Sequence, residues 1–132
     1  MSASLLSGSI DTVKFLIENG ADVNAKSNDG TTALMCASEL PGSTDTVKLL
    51  IEHGAAVNTK SDNGETALIL ASDLGDTNTV KLLLEHKADV NAKDNNGNTA
   101  LMWATRYQRT NIISLLKAAG AAAETKEKLG FD

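Results

Sequence analysis

Val13-Lys14-Phe15-Leu16-Ile17-Glu18 returns as Val47-Lys48-Leu49-Leu50-Ile51-Glu52 and again as Val80-Lys81-Leu82-Leu83-Leu84-Glu85. The spacings are 34 and 33 residues, and a more divergent copy, Ile113-Ser114-Leu115-Leu116-Lys117, follows after another 33. A second motif keeps the same register: Gly30-Thr31-Thr32-Ala33-Leu34, Gly64-Glu65-Thr66-Ala67-Leu68 and Gly97-Asn98-Thr99-Ala100-Leu101. Between them runs a third, Gly20-Ala21-Asp22-Val23-Asn24-Ala25, then Gly54-Ala55-Ala56-Val57-Asn58-Thr59, then Lys87-Ala88-Asp89-Val90-Asn91-Ala92. Motifs in step at a fixed period mark a stack of supersecondary units, each burying its apolar face against its neighbours.

Local chemistry assigns an element to each motif. Segments 32–40, 66–74 and 99–107 open on a threonine hydroxyl that can cap a helix start, and are rich in good helix formers. The Val-Lys-x-Leu-Leu segments predict a second row of helices. Ser9, Ser43 and Asp76 each stand four residues before its Val, where a side-chain oxygen can accept from an unpaired N–H. Gly20, Gly54 and Gly120 follow these helices, where positive φ ends the run. Lys87 takes that position in the third copy, so the periodicity predicts a lysine held at positive φ. Asp29-Gly30, Asn63-Gly64 and Asn96-Gly97 are tight-turn dipeptides.

From about Ser4 to Ala123 this pattern resembles the ankyrin-repeat family, whose landmarks are Gly-x-Thr-Pro-Leu-His, Val-x-x-Leu-Leu and Gly-Ala-Asp-Val-Asn. The resemblance implies an all-α solenoid in which a hairpin-like turn leads to an inner and an outer antiparallel helix. A single domain, 1–132, is expected, with repeats at about 1–27, 28–60, 61–93 and 94–124 and a tail at 125–132. The first repeat looks truncated, lacking its turn and half of its inner helix, so faster amide exchange is expected there than in the middle repeats. Ala33, Ala67 and Ala100 replace the family's proline, and Met35, Ile69 and Met102 its histidine, which removes a rigid ring and an imidazole but leaves groups that can fill a core. One extra residue lies around Leu40-Pro41-Gly42-Ser43. In the last copy Lys117, Gln108 and Arg109 stand where the others have an apolar residue, a glycine and a cap, as a polar terminal repeat requires.

Composition narrows the function. Aromatics make up 3% of the 132 residues and proline occurs once, so the core is aliphatic and the elements helical. A net charge of -5 offers phosphate backbones no attraction, and nucleic acid is not an expected partner. No apolar run approaches a bilayer span, and residues 1–10 lack the features of a signal peptide. With Cys36 the single cysteine and no Asn-x-Ser/Thr sequon, a reducing, cytoplasmic setting is expected.

Chemistry finds little foothold. His53 and His86 recur at one repeat position, about 10 Å apart in a helical stack, too far to share a metal. No metal or cofactor is expected. Cys36 aligns with Leu70 and Trp103 at a position that should meet the next repeat, so a buried, inert thiol is expected, and for the lone Trp103 indole packing is expected ahead of the alternative, an exposed anchor. The glycine turns lack the Gly-x-x-x-x-Gly-Lys-Ser/Thr order of a phosphate loop. Lys14/Glu18, Lys48/Glu52 and Lys81/Glu85 lie four apart, a solvated face worth about 0.2 to 0.5 kcal/mol per pair.

The resemblance implies that a partner protein is bound on a concave side built from turn tips and the open face of the inner helices. In this chain those positions are Asn28, Asp29, Thr31, Glu39 and Leu40, then Asp62, Asn63, Glu65, Asp73 and Leu74, then Asn95, Asn96, Asn98, Arg106 and Tyr107. Lys26, Lys60 and Lys93 line the turns in register. Leu40, Leu74 and Tyr107 occupy matching sites that read either as an exposed apolar line rimmed by Glu39 and Asp73 or, for the leucines, as side chains tucked against neighbouring repeats. The expected function is a monomeric, non-enzymatic protein-interaction module. Its rivals are a partnerless scaffold, natural or engineered, and the targeting part of a larger enzyme.

Overall fold

A computed structural model describes residues 18–120. Ser9 and the first Val-Lys-Phe-Leu-Ile copy, with the exchange behaviour expected there, lie outside them.

The threonines start the inner helices as their position predicts. Thr32, Thr66 and Thr99 hold extended backbone, and their hydroxyls accept from the amides of Met35, Ile69 and Met102. Each satisfies one of the N–H groups that a helix start leaves unpaired. The helices that follow are α1 (Ala33–Ser38), α3 (Ala67–Leu74) and α5 (Ala100–Arg106). Their outer partners are α2 (Thr44–Glu52), α4 (Thr77–Glu85) and α6 (Thr110–Ala118). Inner helices pack on inner helices, outer on outer, and each pair on itself. No strand occurs among the described residues.

Of the two described serine or aspartate caps, one acts. Asp76 accepts from the Thr79 amide at 3.2 Å and from the Thr79 hydroxyl at 3.0 Å, and the Thr79 hydroxyl lies 3.0 Å from that of Thr44 in the preceding outer helix. Ser43 makes no capping bond, contrary to expectation. The extra residue lengthens its turn, and with φ -101° and ψ 16° Ser43 leaves the extended backbone that aims a cap side chain at the helix start.

The core follows the apolar period. Leu34, Leu50, Leu68, Leu83, Leu101 and Leu116 are buried with Val47, Val80 and Ile112, while Ala37, Ala71 and Ala104 keep neighbouring helices close. Burying each large aliphatic side chain is worth roughly 1.5 to 3 kcal/mol. The family-pattern departures fit this core: Met35 and Ile69 are buried and Met102 half-buried. Ser72 is fully buried, and its hydroxyl finds no hydrogen-bond partner.

Hydrogen bonds tie repeat to repeat. The turn tips are three-residue hairpins closed by Gly30 N to Ser27 O, Gly64 N to Ser61 O and Gly97 N to Asp94 O, with glycine φ of 79°, 80° and 82°. The Asp62 amide donates to the Asp29 carbonyl and the Asn95 amide to that of Asn63, both at 2.9 Å. So close is the approach that a Cβ on Gly64 would lie 2.8 Å from the Asn95 nitrogen. The asparagines of the Val-Asn motif form a second row. Asn24 accepts from the Ala56 amide and donates to the Gly54 carbonyl, and Asn58 does the same with Asp89 and Lys87.

Candidate functional site

The turn tips present side chains whose backbones are already engaged in stacking. Asn28, Asp29, Asp62, Asn63, Asn95 and Asn96 are exposed, with Thr31, Glu65 and Asn98 half-buried behind them. Hydrogen bonds from Ser27 and Thr31 hold the Asp29 carboxyl below the usual carboxylate range. Asn95 also donates its side-chain amide to the Asp62 carbonyl at 2.8 Å, and Lys60 donates to the Lys93 carbonyl at 3.0 Å. Part of the tip polarity therefore serves the stack.

Behind the tips the inner-helix face gathers acid. Burial, followed by the charges of Glu39, Asp94 and Asp73, raises the Glu65 carboxyl above its usual range. Those four groups thus share one neighbourhood, although they come from three repeats. Cys36 is exposed rather than buried, so register with Leu70 and Trp103 does not bring it into the core. Partial desolvation of its sulfur, then Glu39 and Asp29, still pushes the thiol up, which leaves little of the reactive thiolate. His53 and His86 are exposed at the ends of α2 and α4, and His53 donates Nδ1–H to the Leu49 carbonyl at 2.9 Å.

The expected line of exposed apolar residues is interrupted. Leu40 is 51% exposed and Tyr107 47%, but Leu74 is half-buried. It lies along a shallow cleft with Pro41, Gly42, Gly75 and Asp76, formed because the longer turn after α1 reaches over the end of α3.

A group that sequence reasoning assigned to packing emerges in the last repeat. Trp103 packs against the core with one edge and stacks on Tyr107, ring centroids 6.1 Å apart and planes 14° from parallel. Asp94 takes the turn position that Ser27 and Ser61 hold elsewhere. Its Oδ1 accepts from the amides of Asn96 and Asn98, which leaves Oδ2 to accept from the indole N–H at 3.3 Å. Arg106 lies over the Trp103 ring, 4.6 Å to its centroid.

A family model described as ankyrin repeats (3 copies) matches residues 1–61 and 54–127. The chain belongs to the ankyrin-repeat family. No curated protein is similar enough to match it. Ankyrin repeats are in general protein-protein interaction modules, and the described helices include none long and apolar enough to cross a membrane. Within this ankyrin stack Arg109 does more than expose a polar end. Its guanidinium donates to the Asp73 carbonyl of the preceding repeat at 2.9 Å and lies 5.5 Å from the Tyr107 ring centroid. It thereby places a cation at the carboxyl end of α3, where helix dipoles favour one. Gly75 makes room, since a Cβ there would come within 2.7 Å of the guanidinium carbon.

Proposed function

We propose that this ankyrin domain binds one partner protein across the concave face formed by its turn tips and inner helices. The observation that carries the reading is Tyr107: a large aromatic, 47% exposed, held rigid against Trp103 rather than tucked into the core. A preordered aromatic ring loses little freedom on binding and offers a large apolar contact, the usual make-up of an interface anchor. Leu40 and the edge of Leu74 continue the surface, and Asp29, Asp62, Glu39, Glu65 and Asp73 rim it. The chain acts on this reading as a monomer in the cytoplasm, as a binding element without catalytic groups or cofactor, and basic residues of the partner meet the acidic rim.

Affinity capture with the full chain followed by titration tests it. Tyr107→Ala should weaken partner binding by more than about 1 kcal/mol, and added salt should slow association. Lys48→Ala and Lys81→Ala on the outer helices should leave affinity unchanged. Loss of binding in these two variants, with Tyr107→Ala and Leu74→Ala silent, places the partner elsewhere.

A further inference from the structure

The inner face changes sign at its last repeat. Arg106 stands in the register of Asp73 and Glu39, and Asn98 in that of Glu65. Among the described residues no hydrogen bond or ion pair engages the carboxylates of Glu39, Glu65 and Asp73 or the N–H groups of Arg106. The arginine is nonetheless placed: its guanidinium carbon lies 4.6 Å from the Trp103 ring centroid, and Asp94 holds that indole. A guanidinium lying over an aromatic face keeps its N–H edge free, and that edge matches the two oxygens of a carboxylate. One repeat earlier Glu65 stands in the opposite setting, its carboxyl raised by burial first and then by the charges of Glu39, Asp94 and Asp73.

We propose that the partner presents a bipolar segment to this face, a basic residue against Glu65, Asp73 and Glu39 and a carboxylate against Arg106 on the Trp103–Tyr107 stack. The inference rests on the concave-face reading above and specifies its partner. Neighbouring helices in such a stack lie about 8 to 10 Å apart. An extended chain rises about 3.3 Å per residue, so the two partner charges stand about three residues apart. A uniformly basic segment would set like charge on Arg106, and a uniformly acidic one on Glu65. Such mismatches discriminate against wrong partners more strongly than matched charges add affinity.

Three synthetic peptides with the same apolar residues test the inference on the full chain by fluorescence anisotropy. One carries a lysine and a glutamate about three residues apart, one carries lysine at both positions, and one glutamate at both. The bipolar peptide should bind about tenfold tighter than either of the others. Arg106→Glu, an exposed substitution whose folding is checked by circular dichroism, should make the two-lysine peptide the preferred one. A two-lysine peptide that binds the unaltered chain as tightly as the bipolar one overturns the proposal, as does a ranking indifferent to Arg106→Glu or no binding by any peptide. Tyr107→Ala separates the two readings. If it weakens all three peptides while charge order has no effect, the concave face stands and the bipolar partner falls. Binding that ignores Tyr107→Ala and Arg106→Glu alike removes both.

Discussion

Lys87 adopts φ 71°, the left-handed conformation that the glycine at its position in the other copies reaches without strain. A lysine pays for it through a Cβ set against its own carbonyl, and its carbonyl accepts from the Asn58 side-chain amide at 3.2 Å. Lys87→Gly should therefore stabilise the domain by roughly 1 kcal/mol, read as a rise in thermal midpoint; an unchanged midpoint would mean that the loop gives the strain back elsewhere. Gln108 shares the predicament at φ 56°, in the position that Gly75 fills one repeat earlier.

Among the connecting elements, two glycines with the same backbone differ in what surrounds them. Gly64 and Gly97 have φ of 80° and 82°, yet only Gly64 has the next turn pressed against it, while nothing lies within 4 Å of a Cβ on Gly97. Both alanine variants incur the conformational strain, about 1 to 2 kcal/mol, and Gly64→Ala should cost a further 1 to 3 kcal/mol, roughly, for overpacking. Equal losses in chemical denaturation would show that the stack opens freely at the tips. The helices themselves were legible because threonine and the apolar period agree in all three described helix pairs, with glycine ending two of the outer helices and Lys87 the third. Ser43 was misread because capping depends on backbone angles that an inserted residue changes. Exposure was the harder quantity: alignment of Cys36 with Leu70 and Trp103 reports register, yet Leu70 and Trp103 are half-buried and Cys36 is exposed, because burial depends on three-dimensional surroundings that register alone does not specify. The Trp103 platform left one trace in the sequence, the carboxylate of Asp94 at a turn position where the other copies have serine.

At the scale of the whole stack, three carboxylates without an ion pair among the described residues, Glu39, Glu65 and Asp73, share the inner face. Glu65 feels this most, its folded carboxyl raised above the ordinary value by burial and by Glu39, Asp94 and Asp73. A raised folded value means that the folded state holds the proton more tightly than the unfolded chain. The group is therefore neutral to stability below the ordinary carboxylate range and opposes folding as pH rises through the raised value. Glu65→Gln should then stabilise at neutral pH by a few tenths of a kcal/mol, discounted for solvent screening, and the gain should vanish in acid; a gain that persists in acid would assign the effect to packing. The bonds between successive turn tips, Asp62 to Asp29 and Asn95 to Asn63, bear on how the domain deforms. A hydrogen bond weakens steeply once its short, aligned geometry is lost, whereas aliphatic helix contacts are non-directional and tolerate sliding. The tips thereby set the stride of the stack: a deformation that lengthens the tip edge must break these bonds, whereas one that slides aliphatic helix faces over one another leaves them whole.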